Sequence, residues 1–106
     1  MSKLGKKAVP EAISIPSAVL AASNEQWGVL IDAYLVDAAP VGNRFAAVAY
    51  LDHSGLIDDG STIATPPVRA IERRQAFVLL QTLSGGDHYV IAAWRSGGEE
   101  KCVIEM

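Results

Sequence analysis

The feature that most constrains the fold is a succession of short apolar runs separated by turn-forming residues, beginning near residue 44. Apolar runs occupy residues 44–51, 76–83 and 88–95, and clusters of Gly, Ser, Asp and Asn separate them. Short runs with turn residues at such intervals are typical of an antiparallel all-β domain. We therefore expect a mainly β fold, either a single small antiparallel sheet or a curled barrel, with a short N-terminal helical segment possible.

Two near-copies of one tetrapeptide, SGGD at 84–87 and SGGE at 96–99, lie in the C-terminal part of the chain. A phosphate-binding loop would need a lysine followed by serine or threonine, and a helix whose N-terminus faces the anion. No lysine follows the first copy, and the next residues have a strand pattern. Because glycine adopts the positive φ angles that tight loops require, both copies predict turns on either side of a central strand at 88–95.

The other segments have residue patterns that are less regular than those of the three apolar runs. Residues 17–24 favour a short helical turn, whereas residues 24–37 fit both a helix and a strand, and we favour the strand. Pro66-Pro67 cannot donate ladder hydrogen bonds, so this segment is expected at an edge, a bulge or a break between two strands. Residues 101–105 alternate apolar and charged side chains, as an exposed edge strand does.

The domain organisation follows from the same patterns. Residues 1–16 predict a flexible N-terminal lead, and residues 17–106 predict a single β-rich domain. Pro10, Glu11 and Pro16 interrupt the N-terminal apolar stretch, which is therefore unlike a secretory signal, and no segment has the length of a membrane span. A single cysteine, Cys102, excludes an intramolecular disulfide, so we expect a cytoplasmic protein.

The charge distribution argues against nucleic-acid binding. The net charge is −3, but three lysines lie within the first seven residues, so the rest of the chain carries −6. Binding to phosphates normally requires a basic stripe, which this chain lacks.

Asp58-Asp59-Gly60 does not have the ligand spacing of an EF-hand, and two histidines with one cysteine give no zinc pattern. We therefore expect neither a metal nor a cofactor.

Catalytic residues are not assigned, although one tripeptide contains the residue types of a hydrolase triad. In Asp52-His53-Ser54 the three side chains are adjacent, and neighbours in an extended chain point to opposite sides. The alternative left open is a small hydrolase that uses His53 or His88 with Asp52 or Asp87. The favoured interpretation is that the protein is not an enzyme.

Charged and aromatic side chains provide a possible interaction surface instead. The arginines around residues 69–74 form the only basic cluster after the N-terminal lysines, while Trp and Tyr are frequent anchors at protein interfaces. The residues considered are Arg69, Arg73, Arg74, Trp27, Tyr50, Asp58 and Asp59. Self-association through the edge strand 101–105 is a further possibility.

Residues 44–94 resemble short uncharacterised bacterial and phage proteins. The resemblance lies in a Gly-x-x-Ile-x-Thr strand from Gly60, a Phe-Val-Leu-x-Gln-Thr strand from Phe77 and a Tyr-Val-Ile strand from Tyr89. It implies an accessory protein of a phage or mobile element that binds a host protein, for example as an inhibitor of a bacterial defence system such as an anti-CRISPR protein. It implies no activity, and no functional residues are transferred.

Overall fold

The computed structural model describes residues 14–96, which form one short helix and six strands. The helix, α1, covers Ser17–Ser23. The strands are β1 (Ala33–Val41), β2 (Arg44–Tyr50), β3 (Ser61–Ala64), β4 (Val68–Arg74), β5 (Phe77–Thr82) and β6 (His88–Ile91). The prediction of a mainly β domain with a short helical segment near the N-terminus is confirmed.

All six strands belong to one sheet, in the order β3-β2-β1-β6-β5-β4. Neighbouring strands are antiparallel except for β1 and β6, which run parallel with Ala33 opposite Tyr89 and Leu35 opposite Ile91. The sheet is therefore mixed, and the antiparallel prediction holds for two three-stranded halves but not for the pair that joins them. Strands β5 and β6 both have neighbours on each side, as predicted for the central strand at 88–95, although β6 already ends at Ile91.

The sheet must curl, because its two edge strands are joined by only three residues, 65–67. Such a connection spans at most about 14 Å. The edges of a flat six-stranded sheet would lie about 24 Å apart. The Val68 amide donates to the Asn43 carbonyl at 2.8 Å, and the Leu83 amide donates to the Pro67 carbonyl at 2.9 Å. Pro66-Pro67 thus forms the break between two strands, one of its three expected positions.

Each face of the curled sheet has its own apolar cluster. The inner cluster includes Leu35, Phe45, Val78, Leu80 and Ile91, with Trp94 packed edge-on against Phe45. The outer cluster lies between the sheet and α1 and is built by Val19, Ala22, Trp27, Leu79, Val90 and Ala92. Successive residues of β5 alternate between the two clusters, which explains why this strand is apolar on both faces.

In the uncertain segment 24–37, the predicted strand forms only from Ala33 onwards, and residues 24–32 are neither helix nor strand. The SGGD segment at 84–87 lies in the loop between β5 and β6, where Gly85 has a φ of +90°. Two sequence predictions lie outside the described residues: the second turn at 96–99, of which only Ser96 is described, and the edge strand at 101–105. Most of the predicted N-terminal lead also lies outside them.

Candidate functional site

Three chain segments meet at one end of the sheet, and we call this region the loop end. Residues 28–32 lead into β1, residues 51–60 connect β2 to β3, and residues 83–88 connect β5 to β6. They lie at the same end because β1 and β6 start there and β2 and β5 finish there. The opposite end, where the β1–β2 and β4–β5 hairpins turn, we call the hairpin end.

Asp32 connects the three segments of the loop end. Its amide donates to the His88 carbonyl at 2.8 Å, and its carbonyl accepts from the His53 amide at 2.8 Å. Its carboxylate accepts a further hydrogen bond from the His88 amide, also at 2.8 Å. One residue therefore fixes the 51–60 loop and the start of β6 relative to the start of β1.

Two aspartates organise the 51–60 loop from within. The Asp52 carboxylate accepts hydrogen bonds from the Ser54 hydroxyl and from the amides of Leu56 (3.1 Å) and Ile57 (3.2 Å). The Asp59 carboxylate accepts from the Leu51 amide at 2.8 Å. Since Leu51 has a φ of +56°, which is costly for a side chain with a Cβ, this bond holds the loop in its conformation.

The hydrogen bonds around Asp52 also change its acidity. Donation from the Ser54 hydroxyl is the main cause that lowers the pKa of Asp52. Burial opposes it, and the amides of Ile57, Leu56 and Gly55 lower the pKa further. The carboxylate is therefore a weak base that stays ionised at neutral pH. Its role in the loop is structural.

The turn at 83–88 is held by Thr82, which is buried at the end of β5. The Thr82 hydroxyl accepts from the Asp87 amide at 3.1 Å, while the Thr82 amide donates to the Asp87 carbonyl at 3.0 Å. The Gly85 amide donates to the Thr82 carbonyl at 2.8 Å. These bonds leave the Asp87 side chain exposed at the loop end.

The carboxylates of the loop end act together on one tyrosine, Tyr89, which packs partly buried against the inner cluster. Burial raises the pKa of Tyr89 above its ordinary value. The negative charges of Asp87, Asp32 and Asp52 raise it further. Three carboxylates from three segments therefore lie close enough to one ring to add their potentials there.

The loop end also exposes large apolar side chains. Leu56, at the middle of the 51–60 loop, is 86% exposed, and Leu83 in the β5–β6 turn is 58% exposed. Leu51, which begins the 51–60 loop, is also exposed, as are Val29 and Leu30 in the segment that leads into β1. The described residues expose three other large apolar side chains, Leu20, Val41 and Ile71, which lie elsewhere in the fold.

At the hairpin end, charged side chains pair with one another. The Arg74 guanidinium donates to the Glu72 carboxylate, contacts Glu25 at 3.4 Å and donates to the Gln26 carbonyl at 2.8 Å. It also lies over the Trp27 ring, 4.5 Å from the centroid. Arg74 thus attaches the β4–β5 hairpin to the segment that follows α1.

The structure separates several residues that the sequence grouped as an interaction surface. Trp27 is only 6% exposed, and its indole nitrogen donates to the Ala22 carbonyl at 3.0 Å, so it contributes to the outer cluster. Arg69, near the start of β4, donates to the Gln81 side chain at 2.9 Å, whereas Arg74 lies at the far end of that strand. Arg73, which is exposed and lies between Arg69 and Arg74 in β4, is opposite Val78 of β5.

The other three residues of that group lie together at the loop end. Asp58 is exposed and Asp59 is half-buried, both in the 51–60 loop. Tyr50, the last residue of β2, is half-buried against the outer cluster, and its hydroxyl lies beside Gly60. Sequence reasoning missed Asp32 and Asp87 as members of the same surface, although each immediately precedes a strand.

The residues of the hydrolase alternative are close in the fold but do not form a triad. The Ser54 hydroxyl donates directly to Asp52, with no imidazole between them. The His88 Nε2 atom lies 3.4 Å from the Gln81 side-chain nitrogen. Across residues 14–96, neither His53 nor His88 has a carboxylate as a side-chain hydrogen-bond partner. The arrangement needed to activate a serine is therefore not supplied by these residues.

The described residues contain neither a metal-binding cluster nor a membrane-spanning helix. Within residues 14–96, no group of three or more His, Cys, Asp or Glu side chains is arranged to hold a metal ion. Over the same residues, none of the helices combines the length and apolar character needed to cross a membrane.

Comparisons with protein-family models, with curated proteins and with solved structures gave no match.

Proposed function

We propose that this chain is a non-enzymatic binding protein that acts by protein–protein contact, with the loop end as its interface. The observation that carries the proposal is Leu56, an 86% exposed leucine in a loop whose conformation is fixed by internal hydrogen bonds. Exposed apolar side chains grouped on one surface often mark interaction sites. A loop that is already ordered loses less conformational entropy when a partner binds.

A bacterial host protein is the partner class that we propose. The resemblance of residues 44–94 to short bacterial and phage proteins supports this choice. Binding would act sterically, by covering a surface that the host protein needs, and inhibition of a bacterial defence system is one form that this activity could take. The protein would reside in the cytoplasm with its target.

Site-specific photo-crosslinking in a bacterial lysate tests the proposal. A photo-reactive amino acid is placed at Leu56 and, separately, at Leu83 of the loop end. The matched control position is Val41, which is 59% exposed but lies at the hairpin end. We expect one discrete adduct from both loop-end positions, competed by excess unlabelled protein, and none from Val41. The same adducts from Val41, or no competed adduct from Leu56, would overturn the proposal.

A further inference from the structure

We propose that the partner of the loop end presents a basic surface, with lysine or arginine side chains around an apolar pocket that receives Leu56. This inference rests on the proposed function and adds the chemistry of the partner. It is drawn from two independent properties of the loop end, its charge and its exposed apolar side chains.

The loop end carries a net negative charge. Its segments, 28–32, 51–60 and 83–88, contain five aspartates and no lysine or arginine. Arg69 of β4 reaches the border of this end, where it donates to Gln81, whose side chain contacts His88. The aspartates are Asp32, Asp52, Asp58, Asp59 and Asp87. Three of them accept hydrogen bonds, but from uncharged amides and a hydroxyl, so their negative charge remains. A partner of positive potential would be attracted at long range and oriented on approach.

Apolar side chains share this end with the carboxylates. Leu56 projects from the loop that Asp52 and Asp59 hold, and Leu83 lies in the same turn as Asp87. An interface with an apolar centre and a charged rim has this composition. The partner surface that matches it has an apolar depression with cationic side chains at its border.

Other occupants fit the loop end less well. Nucleic acids and anionic membrane surfaces carry negative charge, which the five aspartates would repel. A second copy of this chain, docked loop end to loop end, would place its own five aspartates against these five. A different, basic protein is therefore the favoured occupant.

Three designed peptides of equal length serve as probes in a titration of the isotope-labelled full chain followed by NMR. One contains lysine and leucine, the second replaces lysine with glutamate, and the third replaces leucine with serine. We expect saturable shifts of the amides in 28–32, 51–60 and 83–88 with the lysine–leucine peptide only. Equal binding of the glutamate–leucine peptide, or shifts elsewhere in the fold, would overturn the proposal.

Matched single-charge variants separate a local effect from a change in net charge. Asp87→Asn removes one carboxylate from the loop end, whereas Asp37→Asn removes one from the ion pair with Arg95. Asparagine tolerates the left-handed backbone of Asp37, where φ is +55°. We expect Asp87→Asn to weaken peptide binding by about two- to fivefold and Asp37→Asn to leave it unchanged. Equal effects of the two variants would contradict a local role for the charge.

The two proposals fail in different ways. If position 56 gives a competed adduct but the lysine–leucine peptide does not bind, the protein is a binding protein whose partner is not basic. If the peptide binds and no competed adduct forms, the surface has the proposed chemistry but the proposed function fails. Concentration-dependent shifts at the loop end without any peptide would identify a second copy as the occupant, and would overturn the basic partner.

Discussion

The loop end and the hairpin end use charged side chains in opposite ways. At the hairpin end, carboxylates pair with arginines, and Arg74 stacks on Trp27 to attach a hairpin to the segment after α1. At the loop end, carboxylates accept hydrogen bonds from uncharged groups or extend into solvent, and its three segments contain no arginine or lysine. The same residue types therefore stabilise the fold at one end and leave a negative, partly apolar surface at the other.

The largest difference in the free energy of unfolding is expected between the variants Trp27→Ala and Leu56→Ser. Truncation of the buried indole at the hairpin end should lower the free energy of unfolding by about 3–5 kcal/mol, since it leaves a cavity and removes the contact with Arg74. Leu56→Ser should change it by less than about 0.5 kcal/mol, because the side chain is exposed. Urea unfolding measures both. A large destabilisation by Leu56→Ser would mean that the leucine supports the fold rather than an interface.

Aspartates at the two ends should also differ in how much they contribute to the stability of the fold. Asp52→Ala removes the acceptor of three hydrogen bonds and should lower the free energy of unfolding by about 1 kcal/mol. The loss is limited because water can accept hydrogen bonds from the freed donors. Asp37→Asn breaks an exposed ion pair with Arg95 and should cost less than about 0.5 kcal/mol. Amide exchange should become faster at residues 54–57 in the first variant only. Unchanged exchange there would show that Asp52 does not organise the loop.

The pH dependence of the loop follows from the lowered pKa of Asp52. A carboxyl group whose pKa is lower in the folded protein stabilises the fold above its unfolded pKa, and this stabilisation is lost as pH falls through the folded value. We expect the amide shifts of Leu56 and Ile57 to stay constant down to the ordinary aspartate range and to change only below it. In Asp52→Asn this transition should be missing. A transition above the ordinary range would contradict the assigned hydrogen bonds.

The smallest expected effect is on the ionisation of Tyr89. Burial is the main cause of its raised pKa, and the nearby carboxylates contribute the rest. Asp87→Asn should therefore move the pKa of Tyr89 partway towards its ordinary value. It should leave Tyr34, whose pKa is raised by burial alone, unchanged. Ring resonances followed by NMR at alkaline pH measure both groups, and equal shifts of the two would rule out a local effect.

Much of the fold could be predicted from local sequence patterns. Alternation and turn residues identified β2, β5 and β6 to within a few residues, and Pro66-Pro67 predicted a break. The parallel pairing of β1 with β6 could not be predicted, because the two strands are more than 50 residues apart and no local pattern specifies their order. The curl of the sheet depends on that order, since it follows from the short link between the two edge strands.

The candidate surface was predicted only in part. Asp58 and Asp59 were recognised in the sequence, but Asp32 and Asp87 join them only once the strand order is known. Arg69 and Arg74 looked like members of one cluster because they are close in sequence. An extended strand separates its residues by about 3.3 Å each and points neighbours to opposite faces. These two arginines therefore bind different partners at opposite ends of β4.

The most direct test of the contrast between the two ends is a map of local electrostatic potential. Paramagnetic relaxation of each amide proton is measured with a cationic and with an anionic soluble nitroxide. We predict that the cationic probe relaxes residues 51–60 and 83–88 more strongly than the anionic probe, whereas the two probes act about equally near residues 74–76, where Arg74 contacts Glu72 and Glu25. A similar ratio at both ends would contradict the account, because the charge of the loop end would then be compensated.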